Sequence, residues 1–287
     1  MSLPTTLLLG FIAGVTIVFG LPIGRLRRPA ASLRIVLNGI AVGVLLFLMW
    51  DVFAAAWEPI DTALTAAHDH SGGLGPIFGY GALFAGGLTV GLLSLVAYDR
   101  YLVRGKERSD RGGPGTMAVT ERASGITTWA PARRLALMIA IGIGLHNFAE
   151  GLAIGQAAAS NAIALATVLV IGFALHNATE GFGIVAPLAA DKDAAGADIR
   201  PSWGFLFAMA AIGGGPTFVG TAVGHSFTSE PVSVVFLTLA AGSIVYVITQ
   251  LLGVAARSKR NDLVAYGLLI GLLAGFITDA VVTAGGV

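Results

Sequence analysis

Read for hydropathy alone, the chain alternates long apolar stretches with short polar or Pro/Gly-rich breaks. Eight stretches are long enough, at roughly 20 residues, to cross the about 30 Å hydrocarbon core of a bilayer as helices. They run Leu3–Leu21, Ile35–Trp57, Ile77–Tyr98, Leu135–Ala157, Ala162–Ala189, Trp203–Phe227, Val232–Ala255 and Leu263–Val282. The pattern predicts an all-α integral membrane protein, a single transmembrane domain over residues 1–287 folded as an eight-helix bundle. The first run lacks a charged leader and a small-residue cleavage site, so it is expected to be retained.

The longest break, about residues 99–133, contains Gly105-Lys106-Glu107-Arg108-Ser109-Asp110-Arg111-Gly112-Gly113-Pro114-Gly115, and is expected to be a flexible loop. Composition agrees with a lipid environment: 55% of residues are hydrophobic and only 11% charged, too few to coat a soluble globule.

Charge then orients the bundle. All 17 Lys and Arg residues fall in odd-numbered connections: Arg25 to Arg34 after run one, Arg100 to Arg134 after run three, Lys192 and Arg200 after run five, Arg257 to Arg260 after run seven. Basic residues near helix ends stay cytoplasmic, so both termini are expected on the extracytoplasmic side. The formal net charge of +1 gives no basis for nucleic-acid binding. With no cysteine in the chain, a metal site here must use nitrogen and oxygen ligands.

One repeat carries chemistry. Gly144-Leu145-His146-Asn147-Phe148-Ala149-Glu150-Gly151 recurs 30 residues later as Ala174-Leu175-His176-Asn177-Ala178-Thr179-Glu180-Gly181. A carboxylate at the bilayer centre costs roughly 2.5–3.5 kcal/mol even on lenient scales, and this chain keeps two. In each copy His and Glu stand at i and i+4, on one face of a helix. The short connection around Ser160 and Asn161 makes the two helices antiparallel neighbours with both motifs near mid-membrane. Two imidazoles and two carboxylates form a ligand set suited to zinc, ferrous iron, manganese or cadmium. The Asn at i+1 either flanks the site or faces a second one. Gly142, Gly144, Gly151, Gly172 and Gly181 are expected to let the helices approach closely.

Through the paired His-Asn-x-x-Glu-Gly motifs, and in hydropathy over nearly its whole length, the sequence resembles the ZIP (Zrt/Irt-like) family of divalent-metal transporters, as a divergent bacterial member. The resemblance implies a metal site between helices four and five, with His146, Asn147, Glu150, His176, Asn177 and Glu180 as ligands. It also implies transport of divalent metal, zinc foremost, toward the cytoplasm across the cell inner membrane, with metal as cargo rather than prosthetic group and the protein as a homodimer. This chain departs from the family pattern at Ala149 and Thr179, where relatives usually carry Pro. It departs again at Gly215, read as the position where many relatives bring a helix-six Glu, and at Gln250-Leu251, where they carry His-Glu. A reduced, single-metal site is the expectation.

Further candidates are Asp51 and Asp279 at an outer entrance, and His68 and His70 in the outer tract His68-Asp69-His70. Gly215 and Pro216 are a candidate hinge, since Gly213-Gly214-Gly215-Pro216 is expected to interrupt helix six. Two other functions could use the same residues. An intramembrane zinc hydrolase lacks a patterned general base or HExxH motif, and a proton-coupled carrier using Glu150 and Glu180 without metal leaves the duplicated His-Asn unexplained.

Overall fold

The computed structural model describes residues 1–25, 31–110, 126, 129–190, 199–226 and 229–284. Among them the elements are α1 (Leu3–Val15), continued by a 3-10 segment (Thr16–Arg25), α2 (Ala31–His68), α3 (Leu74–Asp110), α4 (Pro131–Ala159), α5 (Ile163–Val185) with a short 3-10 tail (Ala186–Ala190), α6 (Trp203–Ser226), α7 (Glu230–Ala256) and α8 (Asn261–Ala284). Among the described residues, eight spans are long and apolar enough to cross a membrane, making this a multi-pass membrane protein.

Several elements outrun the hydropathy that announced them. The Trp57 boundary marks where the second run turns polar, yet α2 continues to His68 through Pro59, because Ala63, Leu64, Ala66 and Ala67 are strong helix formers. Likewise α3 does not end at Tyr98. It runs to Asp110, with Leu102 buried one face below Leu95, so residues 99–110 of the expected loop are helical. Polarity reports where a helix leaves lipid, which is not where its hydrogen bonds stop. The remainder of that loop up to Gly125 lies outside the described residues.

Helix α6 also differs from expectation: it is unbroken from Trp203 to Ser226, with Pro216 inside it. Proline removes one N–H and frees the carbonyl of residue i−4, here Ile212. That carbonyl faces the Cα of Gly144 on α4, where any side chain would collide with it, so the proline defect is absorbed at a helix crossing rather than opened into a hinge.

Two helix groups share the bundle. In one, α6 packs on α4 and α1, and α5 packs on α1, α4 and the 3-10 segment; in the other, α2 packs on α8, α7 and α3, and α3 on α7. Contacts α4–α7 and α2–α5 join them. Helix α4 is central: 78% of its most apolar 18-residue window is buried, against 11% for α3 and 17% for α8, the two most exposed. The principal core, including Ile17, Leu45, Ile143, Ile184, Leu206 and Ile244, fills the space between the groups. Cation–π contacts fix the start of α6: Arg25 lies 4.9 Å over Trp203 and donates to the Pro201 carbonyl, and Arg133 lies 5.7 Å over Phe205.

Candidate metal centre

The turn between α4 and α5 determines where the two motifs meet. Asn161 takes a left-handed backbone (φ 55°), the Asn161 N–H bonds the Ala158 carbonyl at 3.2 Å and the Ala162 N–H bonds the Ala157 carbonyl at 3.0 Å, a Schellman closure. The chain therefore reverses within three residues. His146 lies 15 residues before Asn161 and His176 lies 15 after it (161 − 146 and 176 − 161), so at 1.5 Å per residue both sit roughly 22 Å from the turn, at equal depth.

At that depth the acids pair crosswise. His146 Nε2 is 2.7 Å from Glu180 Oε1, and His176 Nε2 is 2.6 Å from Glu150 Oε1. Within α4, His146 Nε2 and Glu150 Oε1 stand 3.6 Å apart, as i and i+4 allow. Ligand atoms of His146, Glu150 and His176 lie within 4.8 Å of one another. Three of the four side chains are more than nine-tenths buried, and His176, at 10% exposure, is the one with an outlet. The His146–Glu180 contact is close but poorly angled, and His146 Nε2, Glu180 Oε1 and Glu150 Oε2 are buried polar atoms without a hydrogen-bond partner. Such atoms are costly in a low-dielectric interior unless something engages them. Two imidazole nitrogens and carboxylate oxygens aimed at one gap fit a divalent cation of the zinc type.

The motif asparagines turn their NH2 groups elsewhere. Asn147 Nδ2 donates to Glu180 Oε2 at 3.3 Å and to the Gly213 carbonyl of α6 at 3.0 Å. Asn177 Nδ2 donates to the Ala13 carbonyl of α1 at 3.0 Å. Their Oδ1 atoms, buried and unpartnered, are the ligand atoms they offer. Thr179, standing where Pro is usual in the family the sequence resembles, donates its hydroxyl to the His176 carbonyl at 2.7 Å, and α4 and α5 run through both motifs without a break.

The motif glycines have a role the sequence assigned to the wrong neighbours. Gly151 lies against the α6 backbone at Thr217 and Thr221, and Gly181 against the 3-10 segment at Ile17 and Gly20. They admit α6 and the end of α1 to the site, not α4 to α5. The contribution of α1 was missed at the sequence level, although its run of Gly10, Gly14, Gly20 and Gly24, each packed on α5 or α6, was the available signal.

Gly215 lines an apolar groove with Ile141, Leu145, Phe148 and Val219, and a Cβ there would meet nothing within 4 Å. The contact of α6 with the centre is the Gly213 carbonyl, which accepts from Asn147. Leu251, beside Gln250, is buried one turn below Glu180, against Gly183, and its carbonyl accepts from Asn38 at 3.0 Å.

Asp51 on α2 is exposed, yet close enough to feel the charges of Asp279, Glu150 and His176. His68 and His70 do not converge with acids in this way. His70 is the left-handed cap of α2 (φ 56°), followed by N–H bonds from Ser71 and Gly72 to the Ala66 carbonyl, both at 2.9 Å. Its position is accounted for by helix termination.

The chain is also similar to known proteins. The family described as ZIP Zinc transporter matches residues 105–282. A zinc transporter ZupT from Salmonella arizonae is 29% identical over 275 residues, covering 95% of this chain and 94% of that protein. A ZupT from Enterobacter sp. (strain 638) is 27% identical over 273 residues with the same coverage.

Proposed function

This chain belongs to the ZIP zinc transporter family, and from that premise we propose that it carries zinc into the cytoplasm across the cell inner membrane through the His146, Glu150, His176 and Glu180 cluster. It is a transporter of divalent metal and not an enzyme. The observation that carries the site assignment is the convergence of His146, Glu150 and His176 ligand atoms within 4.8 Å, with Glu180 at 2.7 Å from His146.

The crossed pairs describe the resting state of such a site. In a tetrahedral zinc complex with bonds of about 2.0–2.1 Å, neighbouring ligand atoms lie roughly 3.3 Å apart. The 2.6 and 2.7 Å contacts must therefore each open by about 0.6–0.7 Å, while the 3.6 Å His146–Glu150 separation already suffices. Entry of the ion replaces the two His–Glu contacts by metal bonds, and the proton held in the His176–Glu150 hydrogen bond leaves. Two carboxylates neutralise the dication, so the loaded centre carries no net charge into the low-dielectric core.

Asp51 and Asp279 give the route of approach. Both are exposed, and Asp51 lies within electrostatic range of Asp279 and of Glu150 and His176 at the centre, which marks the side of approach. With the basic residues cytoplasmic, this is the outer side, and an acidic vestibule there raises the local concentration of cations.

Equilibrium dialysis of purified protein against zinc at neutral pH tests the assignment. About one tightly held zinc per chain, lost in a Glu150→Ala, Glu180→Ala double variant, is expected. Equal binding by variant and wild type would refute the site.

A further inference from the structure

Toward the side the basic residues mark as cytoplasmic, the bundle closes beneath the centre. Gly183 follows Glu180 by three residues on α5, about 4.5 Å further in, and the space beside it is taken by Leu251 of α7 and Ala41 of α2, 3.3 and 3.7 Å from where its Cβ would stand. Ala41, Val185 and Leu251 are buried, and the wall they form is apolar. One polar side chain interrupts it. Asn38, three residues before Ala41 on α2 and so about 4.5 Å further in again, is 3% exposed. A carbonyl oxygen only accepts, so the Asn38 atom 3.0 Å from the Leu251 oxygen is its NH2, and the remaining amide atom, Oδ1, is buried without a hydrogen-bond partner. Of the buried hydroxyls without a partner among the described residues, Thr217 lies on α6 one turn outward of Gly213, and Tyr246 lies within electrostatic range of Asp99 on α3.

Resting on the reading of the His–Glu cluster as the transport site, we infer that Asn38 Oδ1 is a further ligand position on the route, which receives the cation between the centre and the cytoplasm. The helix register makes it a midpoint. Asn38 is about 9 Å inward of Glu180 and, seven residues after Ala31, about 10 Å from the inner end of α2. A dication crossing that length of apolar wall without a ligand meets the desolvation cost of an ion in a low-dielectric medium. An oxygen halfway divides the crossing into two shorter steps, as carbonyl oxygens do in ion channels. The chemistry also suits release: an amide oxygen carries no formal charge, so it attracts zinc less than a carboxylate does and passes the ion on. The NH2 bond to Leu251 holds the amide in place.

The test compares the full-length chain with Asn38→Leu, which is near-isosteric and removes both oxygen and NH2, and with Asn38→Asp, which keeps an oxygen and gives up the NH2. Zinc binding is measured by equilibrium dialysis, and zinc uptake into proteoliposomes is resolved into maximal rate and half-saturation. Asn38→Leu should hold as much zinc as wild type and lose about tenfold in maximal rate, with half-saturation not raised. Asn38→Asp should stay near the wild-type rate. Uptake by Asn38→Leu at the wild-type rate overturns the inference. So does an Asn38→Asp rate as low as that of Asn38→Leu, which assigns the amide to clasping α2 on α7. Loss of bound zinc or early melting in Asn38→Leu makes Asn38 a support of the bundle and overturns it as well. Failure of the transport-site reading shows separately, as uptake that survives in the Glu150→Ala, Glu180→Ala double variant.

Discussion

At the residue scale, the chemistry lies in four side chains whose pairing is crossed between helices. The sequence makes the i, i+4 relation within each motif plain, and with it the candidate ligands. It does not show that each Glu pairs with the His of the other helix, because that depends on the rotation of α4 and α5 about their axes, which α6 and the end of α1 determine. Asparagine is the least legible residue type: its amide can serve as ligand, clasp or both, and only the placement of Gly213 and Ala13 separates these roles. The binding forms are neutral imidazole and ionised carboxylate, so protons compete with metal. The zinc dissociation constant should therefore rise steeply as pH falls from about 7.5 to about 5.5, by roughly tenfold or more. A dissociation constant that stays flat over that range in a titration series would contradict ligation by these groups.

At the element scale, the site is held by close backbone crossings. The spans were legible from hydropathy, but their true ends at His68 and Asp110 were not, since hydropathy is blind to helix that continues into water. The motif glycines were recognised as contact points with the wrong partners, because sequence separation favours the α4–α5 hairpin while packing favours α6 and the 3-10 segment. Gly181→Val should drive a side chain into the Ile17–Gly20 backbone and cost about 1–3 kcal/mol as overpacking. The expected result is a melting temperature lower by several degrees in detergent, with zinc binding weakened. Gly253→Val, on α7 with open space at its Cβ, should leave melting almost unchanged and serves as the control. Equal melting of the two variants would mean that the crossing at Gly181 does not hold the site.

At the scale of the whole molecule, α4 stands at the centre of two helix groups and carries one half of the proposed metal centre, while α3 and α8 are the most exposed of the eight spans. The distribution of basic residues, visible in the sequence, supplies the proposed orientation, and the absence of cysteine makes it directly testable. In whole cells, Ser71→Cys should react with an impermeant maleimide and Ser258→Cys only after permeabilisation; the reverse pattern would invert the topology. Asp51→Asn with Asp279→Asn should slow uptake at low zinc, and more so at low ionic strength, while leaving binding at the centre nearly intact. The central claim, that cargo passes through the paired His–Glu cluster, is tested most directly by zinc uptake into proteoliposomes. Wild-type protein should fill the vesicles with zinc, and the Glu150→Ala, Glu180→Ala variant, reconstituted at equal density, should fall to the rate of protein-free vesicles. Uptake by the variant at the wild-type rate would contradict the account.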